Sequence, residues 1–189
     1  KIRPFRIRFL SGEDFGYSII NQSENLIHDF NIFENIIIPQ KKYEWWRHEL
    51  QVETKGARNV WGEIKYGFGD FYNGTRQDFE LQANWKVAVP FFIGGNFIRN
   101  HAKLPQGNFT AQIYQINANL LFSPNLTLYN YFQYDNAIDN AGLQSRFQWI
   151  IKPGKEVILV WNAFFLRHEN NFNLEESSLR LKFKYNIRY

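Results

Sequence analysis

Leu179-Arg-Leu-Lys-Phe-Lys-Tyr-Asn-Ile-Arg-Tyr189 closes the chain, and its two parities have opposite chemistry. Leu179, Leu181, Phe183, Tyr185, Ile187 and Tyr189 are apolar; Arg180, Lys182, Lys184, Asn186 and Arg188 between them are cationic or amide. A strand, whose successive side chains point to opposite faces, sorts these two sets completely, whereas a helical period would mix them. Phe79, Leu81, Ala83, Trp85, Val87 and Val89 repeat the pattern against Asp78, Glu80, Gln82, Asn84 and Lys86. So do Phe5, Ile7 and Phe9 against Arg6 and Arg8, and Val60, Ile64, Tyr66 and Phe68 against Trp61, Glu63 and Lys65. Tyr114, Ile116, Ala118 and Leu120 against Gln115, Asn117 and Asn119, and Leu143, Phe147, Trp149 and Ile151 against Gln144, Arg146, Gln148 and Lys152, complete the set. No stretch of about 12 residues carries a clear helical stripe, so the chain reads as all-β.

Gly, Pro, Asn and Ser clusters divide it into about twelve strands: 3–10, 14–21, 26–37, 43–54, 59–70, 76–89, 91–101, 109–122, 125–135, 143–152, 155–167 and 177–189. Short connections at 23–25, 55–57, 90, 123–124 and 153–154 alternate with longer polar ones at 71–75, 102–108, 136–142 and 168–178. Short turns at one rim and long loops at the other predict an antiparallel up-and-down transmembrane β-barrel. A soluble β-sandwich also alternates, but its strands average about 5 or 6 residues, whereas a tilted strand crossing a bilayer needs about 9 to 11. Most of these strands reach ten. Rings at strand ends (Tyr43, Trp45 and Trp46, Phe71 and Tyr72, Phe91 and Phe92, Tyr189) fit interfacial girdles.

Composition narrows the function. The 189 residues contain 19 Phe, 10 Tyr and 6 Trp but no Cys, which removes disulfide scaffolds, thiolate metal sites and cysteine nucleophiles. No apolar run approaches the length of a membrane-spanning helix. The 22 basic and 18 acidic residues are interleaved, which is not the footprint of a nucleic-acid partner.

Asn119-Leu-Leu-Phe-Ser-Pro-Asn-Leu-Thr-Leu128, Phe132-Gln-Tyr-Asp-Asn136, Gln144-Ser-Arg-Phe-Gln-Trp-Ile150 and Lys152-Pro-Gly154 resemble the C-terminal part of a family of large outer-membrane barrels of uncharacterised function. Ile38-Pro-Gln-Lys-Lys-Tyr43, Leu104-Pro-Gln-Gly-Asn-Phe109 and Gly69-Asp-Phe-Tyr-Asn-Gly74 resemble it too. Members of that family usually carry, ahead of the barrel, a domain similar to the family-nine carbohydrate-binding module. The resemblance implies that 1–189 is the C-terminal portion of an outer-membrane barrel whose N-terminal domain and early strands lie outside this chain. It also implies the outer membrane of a diderm bacterium as the location and a possible link to glycans.

The expected function is non-catalytic: a pore, a transport element or an anchor for a surface or periplasmic module, with no cofactor. Its partners are the lipid bilayer, the barrel-assembly machinery and other outer-membrane or surface proteins. Phe183, Tyr185, Ile187 and the terminal aromatic Tyr189 resemble the signal read by that machinery. Arg6, Arg8, Glu63, Lys65, Asp78, Glu80, Lys86, Arg146, Lys152, Arg180, Lys182, Lys184 and Arg188 are the expected lumen-lining charges, either tuning solute passage or pairing with one another. A soluble sandwich binding carbohydrate through Trp45, Trp46 and Trp61 is the alternative reading, and a hydrolase using His101 or His168 is a second. His28, His48, His101 and His168 are scattered, Ser145 has the phase of Leu143 and Phe147, and Glu175-Glu176 diverges on an extended backbone. Asp135, Asn136, Asp139 and Asn140 lack the spacing of a calcium loop, and Gly67-Phe-Gly-Asp70 lacks the Lys-Ser/Thr and the helix of a phosphate cradle.

Overall fold

A computed structural model describes residues 1–54, 56–168 and 171–186. Its strands are β1 (Ile2–Arg8), β2 (Asp14–Asn25), β3 (Phe30–Phe33), β4 (Ile36–Ile38), β5 (Lys42–Glu53), β6 (Val60–Phe71), β7 (Gly74–Ala88), β8 (Phe91–Leu104), β9 (Gly107–Ser123), β10 (Leu126–Asp135), β11 (Asn140–Lys152), β12 (Lys155–His168) and β13 (Asn171–Tyr185). No helix occurs among the described residues. Eleven strands form one antiparallel sheet in the order β1-β2-β5-β6-β7-β8-β9-β10-β11-β12-β13, and β3 pairs only with β4. The sheet is all-β and up-and-down as expected but is not closed, because β1 and β13 are its two edges.

Two expectations about the elements are corrected. The segment 26–37 is not a strand of the sheet; it contains the small β3–β4 hairpin. The long loops expected at 71–75, 102–108 and 168–178 are largely strand. β6 and β7 are separated only by Tyr72 and Asn73, β8 and β9 only by Pro105 and Gln106, and β13 begins at Asn171. The strands outrun their apolar stretches at this rim, so hydropathy alone truncates them. From β5 onward the sheet strands are 10 to 17 residues long.

The chain packs as two compact units, Lys1–Ala83 with Phe97–Gln112, and Asn84–Asn96 with Ile113–Tyr189. In the first, the core is a cluster at one rim: Ile38, Tyr43, Trp45, Phe71, Ala102 and Leu104 are buried, with Leu26, Ile32, Ile36, Tyr72 and Phe109 packed around them. The β3–β4 hairpin supplies Ile38, and Phe33 stacks on Phe109 with ring centres 4.9 Å apart. The two Pro-Gln segments, distant in sequence, thereby contribute Ile38 and Tyr43, Leu104 and Phe109, to one cluster. Tyr43 and Trp45 share the phase of Arg47, so the hairpin sits over the same face of β5 as Arg47. Gly69, with φ of +135°, lets β6 pass close to β5: a Cβ there would lie 2.6 Å from the carbonyl oxygen of Trp46.

In the second unit the register places Leu179 beside Trp161 and Ser145, Leu181 beside Leu159, Phe147 and Leu128, and Phe183 beside Val157 and Trp149. Nothing described covers this face. Leu179 is 67%, Phe183 70% and Trp149 46% exposed.

Candidate functional site

The expected lumen charges of the first unit share one face. Arg8 opposes Asp14, which opposes Glu53, which opposes Glu63; Arg6, Gly16, Gln51 and Lys65 form the adjacent row. These charges are consumed locally. Arg6 donates to Asp14 at 2.8 Å, and Arg8 reaches the same carboxylate at 3.2 Å. Lys65 lies 2.8 Å from Glu63 and 3.7 Å from Glu80, while Gln51 donates to Glu63. Arg47, 4% exposed, donates to Asp78 at 2.5 Å, to which Arg76 also donates, at 3.1 Å. Sequence reasoning missed Arg47 as the hub. Its neighbours Trp46 and His48 lie on the other parity, so an alternation count gives it no special weight.

In the second unit the polar face is built differently. Arg146 opposes Val160, which opposes Arg180; Gln148, Ile158 and Lys182 form the next row, and Ile150, Glu156 and Lys184 the one after. Arg180, Lys182 and Lys184 have no ion-pair partner among the described residues. Lys152 sits beyond a register shift opposite Lys155, and Lys86 keeps the phase of Glu80 along β7. Uncharged side chains hold the centre of the face. Asn96 donates to Gln115 at 3.2 Å, Gln115 to Gln133 at 3.1 Å, Tyr131 to Gln133 at 2.8 Å, and Gln144 to Asn162 at 2.9 Å. These cross-strand partners depend on register, which no single-strand pattern reveals.

The apolar faces carry polar groups, and several of these are bonded within the protein. Ser145 donates to Asn130 at 2.8 Å, Asn130 to the carbonyl of Ala118 at 2.9 Å, and Trp161 to Ser177 at 2.9 Å. His48 is 2.7 Å from the Tyr17 hydroxyl and stacks against Phe68. Around them, five alternate apolar-face positions span nine residues in several strands: Phe79 to Val87 in β7, Tyr114 to Phe122 in β9, Leu126 to Tyr134 in β10, Val157 to Phe165 in β12.

Of the assembly signal, Phe183 and Tyr185 lie on the exposed apolar face, while Ile187, Tyr189 and the lumen candidate Arg188 lie outside the described residues. The tryptophans of the carbohydrate alternative do not form one platform: Trp45 is buried and donates to Gln22 at 3.0 Å, and Trp46 is on the opposite face. His101 contacts Thr110 at 2.8 Å, and His168 contacts Glu175 at 3.2 Å. Asp135 accepts the Ala137 N–H at 2.8 Å and Asp139 the Tyr134 hydroxyl at 2.9 Å, so both serve the turn. No group of three metal-ligating side chains occurs among the described residues.

Outside the nine-residue bands, two loop groups have displaced titrations. Burial, reinforced by a 2.7 Å hydrogen bond to Glu24, raises the Tyr72 phenol well above its ordinary value. The Ser11 hydroxyl, then the backbone amide of Glu13 and Arg58, hold the Glu13 carboxyl below the usual range. Comparison of the chain with protein-family models, curated proteins and solved structures found no match.

Proposed function

We propose that this chain is part of a transmembrane β-barrel of an outer membrane, acting without catalysis as a pore, transport element or anchor. The observation that carries the reading is the pair of faces. One is an uncovered apolar band about nine residues tall in which Ser145, Asn130 and Trp161 bond internally; the other is polar and hydrogen-bonded across strands. Hydrocarbon accepts no hydrogen bonds, so Ser145, Asn130 and Trp161 facing lipid need partners within the protein, and they have them. Ring placement in the second unit agrees: Tyr114, Tyr134 and Phe165 stand at one end of the band, and Phe122, Trp149 and Phe183 at the other.

Strand count supports a larger assembly. In a meander of eleven strands the first and last run in the same direction, so β1 and β13 could meet only in parallel. Antiparallel closure takes an odd number of further strands, which fits a C-terminal portion of a bigger barrel. The β3–β4 hairpin, folded onto the polar face at one rim, would narrow the lumen there.

Extraction tests the reading. The protein should partition into detergent rather than buffer and migrate faster on gels when unboiled; a monomer in the aqueous fraction contradicts it.

A further inference from the structure

The polar face of the second unit has a depression of about 380 Å³ floored by Gly142. That volume lies within the range of small-ligand clefts, about 300–1,000 Å³. Its row reads Gln133, Gly142, Phe164 and Glu176 across β10 to β13, and the neighbouring row Tyr131, Gln144, Asn162 and Ser178. Gly142 is what makes the gap. A Cβ built there meets nothing within 4 Å, so the space over the backbone is open between Gln133 on one side and Phe164 on the other.

The lining holds both kinds of hydrogen-bonding group. Gln133 has its carbonyl taken by Tyr131 and Gln115, which leaves its NH₂ as a double donor. Gln144 gives one N–H to Asn162, which leaves its carbonyl as an acceptor. The Glu176 carboxylate adds acceptors, and Ser178 adds a hydroxyl. Tyr131 and Phe164, 40% and 37% exposed, contribute ring surface. Interleaved donors and acceptors beside exposed rings suit a ligand whose own groups do both and whose C–H surface is apolar. An anion would meet Glu176, and a cation would find a single carboxylate among amides, with Arg180 four residues along β13 from it on the same face.

We propose that this depression binds an uncharged polyhydroxylated solute of sugar or polyol type. The site belongs to one unit and one face of β10 to β13, so it does not rest on what covers the opposite face. Saturation-transfer NMR on the purified full chain, with maltotriose, raffinose and sorbitol as probes and choline and inorganic phosphate as charged comparisons, tests it. Gly142→Leu fills the gap, and Gly16→Leu, in the first unit and equally unobstructed, controls for a leucine on a strand glycine. Saturable binding of a neutral probe is expected, weakened at least about tenfold by G142L and unchanged by G16L. The proposal is overturned if no neutral probe saturates at tens of millimolar, if G142L binds as well as wild type, or if choline or phosphate binds in preference.

Discussion

The polar face around Arg47 and the polar face around Gln144 do opposite things with the same strand geometry. In the first unit, Arg6, Arg8, Arg47, Lys65 and Arg76 are all matched by Asp14, Glu63, Asp78 or Glu80, with Asp14 and Asp78 each shared by two cations and Lys65 meeting two carboxylates. In the second, amides and hydroxyls hold the centre, and the cations of β13 stand without acidic partners among the described residues. Charge that is consumed internally stiffens a wall; polar capacity left over is available to a solute. The difference assigns support to the Arg47 region and contact to the Gln144 region.

The sharpest way to break that division is Asp78→Asn. It leaves buried Arg47 beside Arg76 with no carboxylate between them, and should cost about 3–5 kcal/mol, read as a lower urea midpoint in detergent micelles. Leu128→Arg, one alternate position from the middle of the apolar band, should cost about 2 kcal/mol in a bilayer, read from folding equilibria in vesicles, and far less if that face meets water. Ser145→Ala strands the Asn130 carbonyl on the same face and should cost about 1 kcal/mol in the vesicle assay. Gln144→Leu, in the second polar face, should stay within about 0.5 kcal/mol of wild type, the counterpart that Asp78→Asn lacks.

Smallest is an acid effect at the loop between β1 and β2. The Glu13 carboxyl is held below its ordinary range, so its contribution is complete above the unfolded value and disappears as pH falls through the lower folded one. The exposed loop should therefore gain amide exchange only in the acid range below ordinary carboxylate titration, and Arg58→Gln should narrow that window.

Much of this was legible because a strand's period is two. Arg6, Glu63, Lys65, Asp78, Glu80, Arg146 and Arg180 could be placed on polar faces from parity alone, and Ser145 on an apolar one. What escaped has identifiable causes. Ile36, Ile37 and Ile38 are apolar on both parities, so the β3–β4 hairpin reads as part of a buried strand. Asn171 to Ser178 reads as loop because Asn171 to Asn173 pair with Leu166 to His168 beyond the apolar band, and the register shift between Leu174 and Glu176 interrupts the alternation inside it. The Gly142 depression needs four strands in register, and Arg47 is a hub only once Asp78 is brought to it from β7.

The most direct measurement uses the absence of cysteine in the chain. Single cysteines at Leu159, Val160, Leu181 and Lys182, each carrying a polarity-sensitive fluorophore, can be reconstituted into vesicles and quenched either by spin-labelled lipid or by aqueous iodide. A membrane barrel predicts that positions 159 and 181 respond to the lipid quencher and 160 and 182 to iodide. Iodide quenching at all four with no response to lipid would contradict it.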